Sequence, residues 1–190
     1  MESKELILNR IRSAAVPTYH HTRQDVLTQP VSVDRFRERV EDYRASVHRS
    51  KVQDLESLLH SMCKEKSCLI AEGFEYRVPN AQIDVGFGAA ELVNFDMTVT
   101  TCSIGIEESG TIVLDGGPGQ GRRAITLIPD HHICIIRTDQ IVATLEEALR
   151  HLDPTHPLTF ISGPSATSDI ELVRVEGVHG PRKLDVILLD

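Results

Sequence analysis

His132-Ile133-Cys134-Ile135-Ile136 is an apolar run of strand length in which neighbouring side chains, pointing to opposite faces, are almost all hydrophobic. Such a run suits a strand buried on both sides, as in a parallel sheet covered by helices. Leu184-Asp185-Val186-Ile187-Leu188-Leu189 repeats the pattern near the C-terminus, and Met97 to Cys102, Thr111 to Leu114 and Leu158 to Ile161 add shorter β-rich runs. Several are bounded by Gly, Pro or Asp, as strands are. Between two of them the spacing predicts a helix from about Leu145 to Leu152, opened by Thr144 and Glu147 as a capping box. Strands interleaved with helices predict an α/β fold, a mainly parallel sheet with helices on both faces.

Upstream the pattern changes to helical. Ile7, Ile11 and Ala14 follow a possible Ser3 cap and end before Pro17, forming an arm or a first packed helix. Residues 17–33 are polar and hold two prolines, so they read as an irregular tether or a flap. Phe36, Val40, Tyr43 and Val47 make one apolar helical stripe. Val52, Leu55, Leu58, Leu59 and Met62 make a second, and Cys68 to Ala71 reads as a short buried strand. The chain is expected to be one α/β domain over 1–190, with N-terminal helices in 1–66 and the sheet in 67–190.

Composition narrows the function. With 190 residues, 41% apolar and 25% charged, the chain has the makings of an ordinary folded domain without staples. A net charge of -8 argues against non-specific binding to nucleic acid or to an anionic membrane. No apolar run reaches the roughly 20 residues of a membrane span, and the acidic start is unlike a signal peptide. A cytoplasmic location is expected. Cys63, Cys68, Cys102 and Cys134 form no C-x-x-C pair and no cluster with histidine, so they read as buried free thiols, with no metal site and no cofactor of the chain's own.

Four segments carry polar groups in suggestive places. Glu107 and Glu108 precede Gly110 and a strand; a carboxylate there can serve as a base or nucleophile, and the plain reading is a solvated turn with Gly110 at positive φ. Asp115 to Arg123 is glycine-rich and has P-loop spacing, but Arg122 and Arg123 stand where Lys and Ser/Thr would bind phosphate and magnesium. It reads as a turn whose arginines can still meet an anion. Asp130, His131 and His132 invite a metal, but adjacent strand residues diverge.

The densest segment is Ile161-Ser162-Gly163-Pro164-Ser165-Ala166-Thr167-Ser168-Asp169-Ile170-Glu171, followed by Gly177-Val178-His179-Gly180-Pro181-Arg182. Hydroxyls, free amides and a helix N-terminus beside a strand end can grip an anion; helix capping by Ser168 or Asp169 is the alternative. His179, between glycines, has the chemistry of an acid, a base or an anion donor.

These two segments, with the strand Leu184 to Asp190, closely resemble the C-terminal signature of the lactate-utilisation protein C family. Glu108-Ser109-Gly110-Thr111 with Ile112-Val113-Leu114, and Leu127-Ile128-Pro129-Asp130-His131-His132-Ile133, are similar to its LUD domain, so the likeness covers about residues 80 to 190 strongly and the N-terminal helices loosely. The resemblance implies a fold similar to the phosphosugar-isomerase and CoA-transferase group. It also implies a non-redox subunit of a complex that oxidises L-lactate to pyruvate with iron–sulfur partner proteins. The other reading is a stand-alone transferase or isomerase that binds a phosphorylated or carboxylate metabolite; a ligand sensor is a third, without a DNA-reading helix. By chemistry and motif position, Glu108 and His179 are the candidate catalytic residues. Ser165, Thr167, Ser168, Asp169, Glu171 and Arg182 are the candidate ligand-binding residues.

Overall fold

The computed structural model describes residues 3–14, 29–167, 175–176 and 180–190. Its main sheet is built from β1 (Ser46–Ser50), β2 (Cys68–Ile70), β3 (Ala81–Ile83), β4 (Met97–Thr101), β7 (His131–Arg137) and β12 (Lys183–Leu189), in the order β1-β12-β7-β4-β2-β3 with every pair parallel. A second sheet holds β5 (Ile104–Ile106), β6 (Thr111–Leu114), β8 (Ile141–Val142) and β9 (Thr159–Ile161), ordered β8-β5-β6-β9. A small antiparallel pair joins β10 (Ala166–Thr167) to β11 (Val175–Glu176).

The helices are α1 (Ser3–Ser13), α2 (Val33–Asp42), α3 (Leu55–Cys63), α4 (Ala89–Leu92) and α5 (Leu145–His151). Because side chains alternate along a strand, β7 and β12 feed two separate cores. Ile133, Ile135, Ile187 and Leu189 pack against Leu55 and Leu59 of α3. On the other face Cys134, Ile136, Val186 and Leu188 meet Phe36 and Val40 of α2, with Ile112 and Leu114 of the second sheet. Helix α5 covers the far side of that second sheet through Ala148, against Ile104, Ile106 and Val113. Each large side chain fully buried this way stabilises the fold by roughly 1.5–3 kcal/mol. All four cysteines are buried and free.

Three expectations need correcting. Thr111 to Leu114 and Leu158 to Ile161 are strands, but they do not join the parallel sheet; β6 runs antiparallel to both β5 and β9. The cause is the short connection. Only Glu107 to Gly110 separate β5 from β6, and a turn that tight closes a hairpin, whereas parallel neighbours need a crossover of about a dozen residues.

The stripe through Val47 is also not one helix. Helix α2 stops at Asp42, Arg44 takes a left-handed φ of 65°, and Ser46–Ser50 becomes the edge strand β1 beside β12. Val47 packs on the same core as Phe36 and Val40, which is why its spacing is continuous with theirs. The apolar side chains of α1 at Leu6, Ile7 and Ile11 are exposed, while most of the 17–33 connection lies outside the described residues.

Capping explains where the helices begin. Ser32 Oγ accepts a hydrogen bond from Arg35 N, and Thr144 Oγ1 accepts one from Glu147 N at the start of α5. Glu107 is not a solvated turn residue. It is 3% exposed, accepts a hydrogen bond from Ser32 N at 2.6 Å and pairs with Arg35 Nε at 2.9 Å, so it ties the hairpin turn to the start of α2. Gly110 has φ 61°, and a Cβ there would lie 2.5 Å from the Arg39 carbonyl carbon. Only glycine fits against the α2 backbone at that point.

Candidate functional site

The hairpin turn and the loop after β9 come together through their hydroxyls. Since β6 pairs with β9, Thr111 lies beside Ser162: their oxygens are 2.7 Å apart, and Ser109 Oγ is 2.8 Å from Thr111 Oγ1. Gly163, at φ 80°, then turns the chain against Tyr43, where a Cβ would come within 2.6 Å of that residue's backbone oxygen and Cβ. Past this turn Ser165 N donates to Pro181 O at 2.8 Å, and Gly180 sits over the Ser165 side chain. Residues 162–165 and 180–181 therefore form one wall.

The opposite wall is the main sheet itself. Between them lies a half-open cavity of about 280 Å³, reached by Arg123, Thr126 and Leu127 from the segment before β7, and floored by His132 and Leu184. His132 and Leu184 are register partners near the amino ends of β7 and β12. This is the edge opposite the carboxyl ends where parallel α/β sheets usually bind ligands. At the carboxyl edge the glycine-rich loop fills the gap between β2 and β4: Gly119 N donates to Glu72 O, and Thr101 N donates to Gly119 O. A broader hollow of about 730 Å³ remains there, beside Gly116, Gly117 and Arg122.

The two arginines of the glycine-rich segment have different fates. Arg122 donates to both oxygens of Asp84 and to Phe87 O, and its hydrogen bond holds the Asp84 carboxyl below its ordinary range. Arg123 is exposed at the cavity and has no ion-pair partner among the described residues.

His132 is the least expected member of the site. It is 1% exposed, and its Nε2 lies 2.8 Å from Thr100 Oγ1. Its Nδ1 is, among the described residues, the one buried side-chain nitrogen or oxygen with no hydrogen-bond partner. A nitrogen left that way costs about 1–3 kcal/mol. Burial, reinforced by the neighbouring His131, lowers the ring's pKa to about 3, so it is neutral at physiological pH. His131 points to the other face, where its Nε2 meets Asp185, so the two histidines do not converge on one ion.

The residues expected from the sequence fall in several places. Ser165 lines the cavity. Thr167 lies in the β10 backbone beside it, and Ser168, Asp169, Glu171 and His179 lie outside the described residues. Glu108 and Arg182 do not line the cavity. Glu108 Oε1 accepts from Leu145 N at 2.8 Å, capping α5. Arg182 pairs with Asp130 at the surface, Nη2 to Oδ2 at 3.0 Å. The sequence marks His132 only as a possible metal ligand, because its link to Thr100 joins two strands and no local spacing records it; the one signal is a histidine inside an otherwise apolar run.

Residues 75–189 match the family model described as LUD domain. The chain is 40% identical over 196 residues to the "Lactate utilization protein C" of Deinococcus radiodurans, covering 94% of this chain and 88% of that protein. A protein of the same name from Shouchella clausii is 39% identical over 102 residues, which span 50% of this chain and 44% of that one. The crystal structure of a DUF162 family protein from Deinococcus radiodurans superposes with a TM-score of 0.73 at 33% identity, covering 85% of this chain and all of the other. The chain thus spans most of the first relative and under half of the second. The family match and the near full-length relative together show that this chain belongs to the LUD domain family.

Proposed function

We propose that this chain takes part in lactate utilisation, as the non-redox subunit of a cytoplasmic complex that oxidises L-lactate to pyruvate beside iron–sulfur partner proteins. The observation that carries the reading is the 40% identity, along 94% of the chain, to a protein named for lactate utilisation. Oxidation of lactate releases two electrons and two protons. Iron–sulfur clusters held by thiolates suit the electrons. This chain's four cysteines, buried and free in two contacting pairs, Cys63 with Cys68 and Cys102 with Cys134, suit a subunit that leaves electron transfer to its partners. On this reading Ser165, at the cavity wall, helps to hold a small anionic metabolite, with Thr167, Ser168, Asp169, Glu171 and His179 proposed as further ligand residues from their sequence motif. No helix among the described residues is long and apolar enough to cross a membrane.

A tagged copy of the chain, expressed from its own locus in cells grown on L-lactate, tests the proposal. Recovery of iron–sulfur proteins with the tag, and loss of growth on lactate when the gene is deleted, are the expected results. Normal growth of the deletion strain on lactate with no such partner recovered would overturn it.

A further inference from the structure

The two edges of the main sheet are not alike. At one edge β1 carries Arg49, which pairs with Asp34 and Asp190, and Lys51 follows it; charges of this kind keep another strand from adding. At the other edge β3 pairs only with β2, and its residues Ala81, Gln82 and Ile83 carry no charge. Asp84 N donates to Ile70 O at 2.9 Å, so by the alternation of a strand the main-chain N–H and C=O of Ala81, Ile83 and Val85 point away from the sheet. Ala81 packs on the core beneath α3, and Ile83 and Val85 continue that face, but they stand 53% and 80% exposed. An open edge with exposed β-branched side chains is a template for a further strand.

We propose that β3 pairs antiparallel with β3 of a second copy of this chain, about a two-fold axis at Ile83, so that the two main sheets become one. The inference goes beyond the proposed function and does not depend on it. Charge selects the occupant. The chain's net charge of -8 makes two copies repel over most of their surface, whereas residues 81–85 hold one charge, Asp84, which Arg122 neutralises. Copies can therefore approach at this edge. The edge is also complementary to itself. With the axis at Ile83, Ile83 faces its own counterpart and Ala81 faces Val85. These are the residues whose main-chain groups point outward, so each facing pair exchanges both N–H···O bonds. Facing residues lie on one side of a sheet, which places the two exposed β-branched side chains of each copy against apolar partners. Once β3 is paired, the charged β1 edges are the ones left, and a two-fold contact closes on itself, so assembly stops at two copies.

Sedimentation equilibrium of the intact chain over a dilution series down from about 100 μM tests the assignment. Twice the monomer mass at the upper end, falling to the monomer on dilution, is the expected result. Ile83→Lys sets two ammonium groups face to face at the axis and should weaken the dimer about tenfold or more. Ile83→Pro removes an N–H that the chain's own sheet does not use, a position where an edge strand tolerates proline, and should weaken the dimer by a similar factor with the circular dichroism of the folded chain retained. Arg49→Gln, at the other edge, should leave the dissociation constant unchanged. In the unsubstituted chain, hydrogen exchange at the Ile83 amide should slow as the concentration rises, a readout independent of any variant's folding. A monomer throughout the series, an assembly larger than two, a dimer that Ile83→Lys and Ile83→Pro leave intact, or an Ile83 amide that exchanges equally fast at both ends of the series would overturn the proposal.

Discussion

Strands β7 and β12 bury polar side chains on both of their faces, and the two sets are satisfied to different degrees. On the face that carries Ile133 and Ile187, Asp185 is 1% exposed and has three cationic or protonatable neighbours: His131 Nε2 at 2.5 Å, His48 Nε2 at 2.8 Å and Lys183 Nζ at 2.9 Å. Burial alone would raise its pKa, but the hydrogen bonds from His131, His48 and Lys183 outweigh that and hold the carboxyl well below its usual range. On the opposite face His132 has one partner and an idle Nδ1. With contacts to His48 on β1, His131 on β7 and Lys183 on its own strand, the Asp185 cluster secures β1, β7 and β12 to one another.

The contrast breaks most readily at Asp185. Asp185→Ala should cost about 3 kcal/mol, toward the low end for loss of a buried charge partner because Lys183 and His48 can return to water. Urea denaturation measures it. A cost below about 1 kcal/mol would mean that the cluster does not hold the sheet together.

Acidification separates the two faces. His132 has a folded pKa of about 3 against about 6.5 in the unfolded chain, so between those values the unfolded state binds the extra proton. Its contribution to stability is complete above pH about 6.5 and falls as pH drops, by up to about 1.4 kcal/mol per pH unit. Asp185, whose folded pKa is lowered, contributes fully above the unfolded value of about 3.9 and loses that contribution only below it. Denaturation at successive pH values should show His132→Gln flattening the upper limb while the lower one persists.

Smaller effects sharpen the picture. Thr100→Val keeps the shape and leaves Nε2 of His132 without its partner, at an expected cost of about 1–2 kcal/mol in thermal or urea unfolding. Arg182→Ala removes only an exposed pair with Asp130 and should change stability by less than about 0.5 kcal/mol. A loss above about 1 kcal/mol would mean that the pair holds the segment before β12 in place.

Much of the fold was legible where a local pattern carried it. The runs at 132–136 and 184–189 became β7 and β12, the second apolar stripe became α3, and Thr144 with Glu147 opened α5. Less was legible where one core gathers side chains from different elements. Val47 shares a core with Phe36 and Val40, and this hid the end of α2 and the strand that follows. Glu107 and Glu108 are sequence neighbours with nothing to distinguish them, yet one anchors α2 and the other caps α5, because a tight turn points them toward different helices.

By itself the sequence determined which segments bury both faces, where helices start and where glycine must turn the chain, since alternation, capping and positive φ are properties of a few neighbouring residues. Tertiary structure alone decided that β6 and β9 leave the parallel sheet, that Asp185 finds His48 on another strand, and that Thr100 takes one nitrogen of His132 and leaves the other open. Those outcomes depend on which strands pair and in what register, and that is set by packing between residues far apart in the chain.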